Sequence, residues 1–589
     1  MKYPTLYTKQ ANRQMVDVFK GYNHNLRIGD GEFFDMKNMT SDYYPVLSPR
    51  GNRGVYATPG SLKGMISKDA LCYVDGTEFV MNEYRVDLGL NDEPKQLISM
   101  GAYVIIMPDK KWINTQDLTD FGDIEAEVQT NAAVSFTLCK LDGTDYSTGI
   151  PTDEPASPAN MELWIDVSTE PHSLKQWSES SGMWVTIPTT YVKIASPGIG
   201  TPFEKYDGIE ISGLSGVLHD SVSGNAIDNS SDIAALEGAA VVWEKGDDYI
   251  VVVGVLDATR TITDQITISR KMPLMDFVVE SGNRLFGCRY GENAKGEVVN
   301  EIYVSKLGDF KNWNCFMGIS TDSYAVSCGT DGQFTGAITH LGQPLFFKEN
   351  CVHKVYGNYP ANFKVQDTAC SGVQKGCKKS LAIVNTTLFY KARNGVCAYD
   401  GSLPTEASYA MGNEAYSDAV GGSHGNKYYI SMKDATGEYH LFVYDMAKGM
   451  WHKEDDLQVD CFCSCDGEMY AISGGQIITM LGTGNKDTKL VDWMVETGEI
   501  GISSPDMKYI SRITIRMFMD IDAEVGIYAQ YDFSDEWECQ CVLRSTNLRS
   551  FSIPIRPKRC DHMKLRIEGV GNVKIYSITK TIEQGSELS

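Results

Sequence analysis

The residues best suited to chemistry are Glu454, Asp455 and Asp456, three consecutive acids that follow Trp451-His452-Lys453. Glycoside hydrolysis uses two carboxylates flanking the scissile bond, one as acid and one as base or nucleophile. Consecutive acids after a tryptophan also cap exposed turns, and the repeated S-x-D-x-G-x-x-W boxes of sialidases are absent. Of the nine histidines, His353, His440 and His452 sit in strand-like runs. Nucleophilic catalysis needs a Ser or Cys with a His and its orienting acid, and no nucleophile-elbow pattern is found. Fifteen cysteines show no consistent spacing. Cys461, Cys463 and Cys465 alternate along one strand face, as do Cys539 and Cys541, whereas zinc takes ligands from two apposed knuckles. They read as small buried apolar residues. Whether Cys370 and Cys377 meet across a loop is left open. No phosphate-binding loop, zinc-binding helix or dinucleotide fingerprint is present. No catalytic residue, metal ligand or cofactor is assigned, and the expectation is a chain that is not an enzyme. Trp164, Trp177 and Trp184 are candidate glycan contacts, since aromatic faces stack on sugars. Filling a small β core is the favoured alternative for them.

These residues must be positioned by a repeating scaffold. Seven times an apolar run meets a turn and is answered by a second run, at Asp75-Gly76, Met100-Gly101, Gly282-Asn283, Gly342-Gln343, Asn385-Thr386, Gly425-Asn426 and Asp466-Gly467. From Gly342 through Asn385 and Gly425 to Asp466 the steps are 43, 40 and 41 residues. A period of ~40–45 residues with several strands per unit is the mark of a β-propeller blade. The expected fold is all-β, with a six- or seven-bladed propeller. The short first interval leaves the count open. Aromatics at comparable places (Phe346-Phe347, Phe389-Tyr390, Tyr428-Tyr429, Tyr470) would fill the wedges between sheets.

The rhythm breaks twice. Residues 122–255 read as an inserted β-rich domain between propeller parts 58–121 and 256–485. TGIPTDEPASPAN (148–160) is its loop, and DIAALEGAAVVW suggests a short helix capped by Ser231 or Asp232. In 486–589, Ile513, Ile515, Met517 and Met519 alternate with polar or larger neighbours, as do Met563, Leu565 and Ile567. Period-two alternation marks strands with one buried face, here of a C-terminal β-sandwich. Its wet face carries Arg544, Arg549, Arg556, Lys558, Arg559, Lys564 and Arg566, either simply solvated or meeting an acidic partner.

Composition narrows the classes. The 589 residues, 42% hydrophobic and 22% charged, describe an ordinary folded chain. No window reaches the ~18–20 apolar residues of a membrane span, and the opening MKYPTLYTKQANRQM holds no apolar run of the kind a leader has. Reduced thiols in a cytosol are the expected state. A net charge of −24 repels phosphate backbones, so sequence-specific nucleic-acid binding is not expected. The Asn38-Met39-Thr40 sequon carries no weight without a secretory signal.

Residues 1–57 read as an extended arm, and the arm is the most specific segment. Phe19, Gly21, Asn23, Ile28, Gly31, Glu32, Asp35 and Asn38, then Tyr44-Pro45-Val46-Leu47-Ser48-Pro49-Arg50, resemble the opening of phage tail-accessory or tail-hub proteins, often called packaged-DNA stabilisation proteins. Stretches at 346–365, 388–404, 427–455, 508–516 and 556–586 are similar to the same family, and 122–255 least so. The resemblance implies a propeller-bearing structural virion protein assembled in the host bacterial cytoplasm. It implies a homo-oligomeric ring, hexameric by expectation, that closes the DNA exit channel. Its partners would be the portal-adaptor or head-closure proteins and other tail proteins, with a tail fibre or tailspike as a further one. A tail-tip receptor- or glycan-binding protein is the alternative. Candidate interface residues are Phe19, Asn23, Phe33, Tyr44, Pro45 and Arg50 of the arm, with Arg556, Lys558 and Arg559 of the sandwich. A segment with little periodicity suits lying on a neighbouring subunit and ordering on assembly.

Overall fold

The computed structural model describes residues 12–146, 149–227, 232–483, 485–486, 489–503, 507–532, 534–555 and 558–584. Among these, regular structure is β-strand apart from four 3₁₀ turns. Seven successive antiparallel meanders form the centre. They run from Leu62–Lys68 to Tyr84–Asp87, Gln96–Met100 to Phe121–Asp123, Phe277–Ser281 to Tyr324–Ser327 and Gly336–His340 to Lys364–Ala369. The remaining three run from Ala382–Val384 to Thr405–Glu406, Ser417–His424 to Met450–Lys453 and Cys461–Cys465 to Gln476–Thr479. Six have four strands of their own. The seventh has three and takes Gly54–Ala57, from near the other end of the chain, as its fourth.

Side chains from adjoining meanders meet in apolar wedges, and the aromatic doublets show how. Neighbouring residues on a strand point to opposite faces, so a doublet serves two wedges at once. Phe346 packs with Phe286 and Phe363 of one wedge, while Phe347 turns to Tyr390 at 5.0 Å in the next. Phe389 then stacks on Tyr428 at 5.1 Å, and Tyr429 joins Leu441, Val443 and Met469 one wedge further on. Cys463, Cys465, Ile472 and Ile477 of the seventh meander pack with Met65, Leu71, Tyr73 and Val80 of the first, which closes the circle.

Asp75-Gly76 is displaced from the other six turns. It joins the second and third strands of its meander, whereas the others join the first and second. The equivalent turn lies at Asp69, in the left-handed region at φ 56°. This accounts for part of the short first interval.

The insert extends further than 255. Strands through Thr267–Arg270 pair inside it, in a four-stranded and a five-stranded sheet that enclose a separate core of Phe136, Ile194, Phe203, Ile211, Ile250 and Ile268. Asp232 caps no helix: it accepts from Asp257 N–H at 2.8 Å and meets His172 Nδ1 at 2.8 Å, beside a 3₁₀ turn at Ala234–Leu236. Ser231 lies outside the described residues.

Residues 492–584 form two facing sheets, and the alternation seen in sequence is realised. Ile513, Ile515, Met517 and Met519 are fully buried, while Arg512 and Arg516 are exposed. The arm departs from an extended segment free to lie on a neighbour. Its strands Gly21–Tyr22 and Glu32–Lys37 are threaded between Met450–Lys453 of the sixth meander and Asp492–Thr497 of the sandwich, making one continuous ten-stranded sheet. Phe19, Tyr22, Phe33, Met36 and Met39 are buried in the core shared by meanders, arm and sandwich. The cause is burial: these apolar residues find their partners within their own chain.

Candidate functional site

The three acids after Trp451 are split by burial. Asp456 is exposed, whereas Glu454 and Asp455 turn inward onto two arginines of the arm. Arg53 reaches Asp455 Oδ2 and Glu454 Oε2, both at 2.7 Å, and Arg50 reaches Asp455 Oδ2 at 3.1 Å. The four side chains are only 8–15% exposed. Burial pushes the Asp455 carboxyl up, but Arg53 and then Arg50 outweigh it and hold it below the usual carboxylate range. A carboxylate fixed in this way cannot serve as a general acid near neutrality. The cluster clamps the closing strand Gly54–Ala57 against the sixth meander.

At the centre of the ring lies a cavity of about 480 Å³. Met65, Leu97, Val278, Ala337, Leu381, Val420 and Phe462, one from each meander or its lead-in, line it. Its polar lining is Lys95, Gln96, Asp276, Lys378 and Lys379. Asp276 is held by Arg289 Nη1 at 2.7 Å, Lys379 Nζ donates to Asp460 O at 2.8 Å, and Lys95 is buried against Asp109 at 2.6 Å. Asp276 is the carboxylate among the lining residues, so two facing carboxylates are not assembled there.

The histidines are dispersed. His353 meets Thr330 Oγ1 at 2.8 Å and Cys351 Sγ at 3.8 Å, and burial, then Lys348, pushes it down to about 4. His440 meets Asp434 at 2.8 Å. Neither ring nitrogen of buried His452 has a hydrogen-bond partner among the described residues. The cysteines are free thiols, Cys370 and Cys377 included. Cys461, Cys463 and Cys465 stand in the closing wedge, but Cys539 is exposed, because its strand Glu538–Leu543 lies at a sheet edge.

Of the candidate interface residues, Phe19 and Phe33 are buried and 5.8 Å apart, which removes them from any outer surface. Arg50 is spent in the clamp. Asn23 is half-buried, and its Oδ1 accepts from the Asn25 amide side chain at 2.7 Å. Tyr44, Pro45, Lys558 and Arg559 are exposed. Arg556 lies outside the described residues. Much of the sandwich's positive charge is matched locally: Arg544 pairs with Glu524, Lys558 with Glu538, and Arg566 and Lys564 with Glu496. Arg566 also lies over the Trp537 ring at 4.1 Å and Arg549 over Phe551 at 5.6 Å.

The three insert tryptophans gather on one small sheet. Leu163–Asp166, Ser173–Ser178 and Met183–Thr186 pair in order, with Trp164 opposite Lys175 and Trp177 opposite Trp184. Residues 175 and 177 share a face, so all three indoles stand together, with ring centroids at 5.3 and 5.4 Å. The other face carries Ile165 and Leu174, which pack on Leu138. The tryptophans therefore do not fill that small core; they are half-buried on its outer side. The alternation of Trp164 with Ile165 was the sequence signal for this.

No protein-family model matches the sequence. No curated protein matches it. Among solved structures, an exo-β-1,3-galactanase from Phanerochaete chrysosporium with galactose is 8% identical, covers 51% of this chain and 95% of its own, and has a TM-score of 0.21. An engineered GH43 glycoside hydrolase with endo-xylanase and exo-arabinofuranosidase activity is 8% identical over 54% of this chain and 99% of its own, at 0.20. A Trypanosoma rangeli sialidase is 8% identical over 91% and 97%, at 0.19. All three are enzymes, which overturns the expectation of a chain that is not an enzyme, and that expectation is withdrawn. At these TM-scores the likeness assigns neither activity nor substrate to this chain.

Proposed function

We propose that this chain is a structural component of a bacteriophage tail, built on a seven-bladed β-propeller and assembled as a homo-oligomeric ring around the DNA exit channel. The observation that carries the reading is the use made of the arm. The residues that resemble tail-hub proteins, from Phe19 to Arg50, are those that weld propeller to sandwich through one ten-stranded sheet and the Arg50–Arg53 clamp. A building block of a pressurised particle needs its parts held in fixed register, and a shared sheet and core supply that. A formal charge of −24 lets DNA pass without sticking. The seven wedges support the blade count.

The test is to produce the protein with its neighbouring virion proteins and image the particles by electron microscopy. Several copies in a ring below the head-closure proteins are expected, each with sevenfold pseudo-symmetry in its central body. Free monomers alone, with none in mature virions, would refute the assignment.

A further inference from the structure

We propose that the three-stranded sheet bearing Trp164, Trp177 and Trp184 is a carbohydrate-binding platform for a neutral oligosaccharide. Sugar binding here is independent of where the protein is assembled.

The first argument is topological. Strands Val134–Cys139 and Tyr191–Ala195 are hydrogen-bonded antiparallel neighbours, a pairing that a turn of two to five residues could close. The connection instead runs through residues 140–190 and folds into a sheet of its own. Ordering so long a connection costs conformational entropy that a tight turn avoids.

The second is the placement of the indoles. The small core beneath the sheet is complete without them, being made by Leu138, Ile165 and Leu174. The three clustered indoles are half-buried on the outer face, and their remaining aromatic surface is what a ligand would cover. Their orientation is fixed from the side. Trp164 Nε1 donates to Thr152 O and Trp184 Nε1 to Glu154 Oε1, both at 3.1 Å. These bonds hold the rings in place and leave ring surface rather than N–H groups for contact.

The third is the polar rim, which selects the sugar class. Glu154 is an exposed hydrogen-bond acceptor beside the rings, while Asp166 is buried and engaged by Ser168 and Lys175. Lys175 sits over Trp164 at 5.0 Å and pairs with Asp166 at 2.6 Å, so the cation is already matched. A polyanionic glycan would meet exposed Glu154, with Lys175 already paired. Uncharged pyranoses, with C–H faces for the indoles and hydroxyls for the exposed Glu154, complement this surface.

The full-length chain is titrated separately with cellohexaose, chitohexaose, maltohexaose and polygalacturonate, followed by calorimetry and tryptophan emission. At least one neutral hexaose is expected to bind saturably, shift the emission and be insensitive to added salt. Trp184→Ala should weaken that binding by about tenfold or more, and Trp184→Phe, which keeps an aromatic face and the fold, by less. Trp243→Ala, away from this sheet, should leave it unchanged. Three outcomes overturn the proposal: no binding of any neutral hexaose, binding kept within about twofold in the Trp164→Ala/Trp184→Ala double variant, or salt-sensitive binding of polygalacturonate alone.

Discussion

Arg53 faces two carboxylates, and removing it leaves Glu454 and Asp455 buried with only Arg50 to offset them. Breaking a buried pair by deleting one partner costs about 3–5 kcal/mol. Arg53→Ala should therefore lower the urea midpoint strongly, while Asp456→Asn, at an exposed position, should stay within about 0.5 kcal/mol. Buried His452 responds to pH. Burial, then Lys427, depresses it to about 3, with Asp42 and Asp445 opposing and Lys448 adding to the depression. The unfolded chain takes up this proton near 6.5 and the native state does not. Stability is thus full above pH 6.5 and falls as pH drops toward 3, by about 1.4 kcal/mol per pH unit for such a group. His353 adds a similar loss between 6.5 and about 4. Asp455, depressed in the native state, adds its own loss only below the ordinary carboxylate range. Denaturation midpoints at pH 7, 6 and 5 should fall in sequence, and less steeply in His452→Gln. A flat profile across that range would contradict this account.

At the scale of elements, the weld depends on backbones approaching closely. Gly21 has φ +84°, and a Cβ there would lie 2.2 Å from Trp451 O, against the strand it joins. Gly21→Ala should cost about 2 kcal/mol or more, combining strain with a displaced ladder, and should expose Trp451 to fluorescence quenching. The insert is fastened by a different device. Arg270 pairs with buried Asp207, which also accepts from Asn312 Nδ2 of the third meander at 2.8 Å. Asn312→Ala should increase protease cutting near residues 125 and 271 with little change in the ring. How far these elements could be read from sequence follows from the distance between partners. Phe346-Phe347 and the Ile513–Met519 alternation were legible because strand period and burial are local properties. The arm was not, since its ladder partners lie hundreds of residues away and its strands are as short as Gly21–Tyr22. Asp75-Gly76 misled because Asp-Gly is a strong turn signal, while the equivalent turn at Asp69 has no glycine. The tryptophan face could be inferred from alternation, but its standing outside the small core required knowing that Leu138 covers the opposite side.

For the whole molecule, the distribution of cores decides how it comes apart. The fourth, fifth and sixth meanders, the arm and the sandwich share one apolar cluster, and the sixth meander, arm and sandwich share one sheet, so none of these can open without exposing the others. The remaining meanders are joined to one another and to these by further wedges, each touching the next. The insert differs: its core of Phe136, Ile194, Ile211 and Ile268 is contained within its own two sheets. Cooperative units follow shared burial, so calorimetry of the full chain should show two transitions rather than three or more. One belongs to propeller, arm and sandwich together, and the other to the insert. Replacing residues 125–271 with a short Gly-Ser linker should abolish one transition and leave the other within a few degrees. A sandwich transition separable from that of the ring, seen as selective loss of 492–584 to protease, would mean that the arm does not bind the two into one body. Their joint melting is the direct expression of an arm and a sandwich built into the same sheet as the sixth meander.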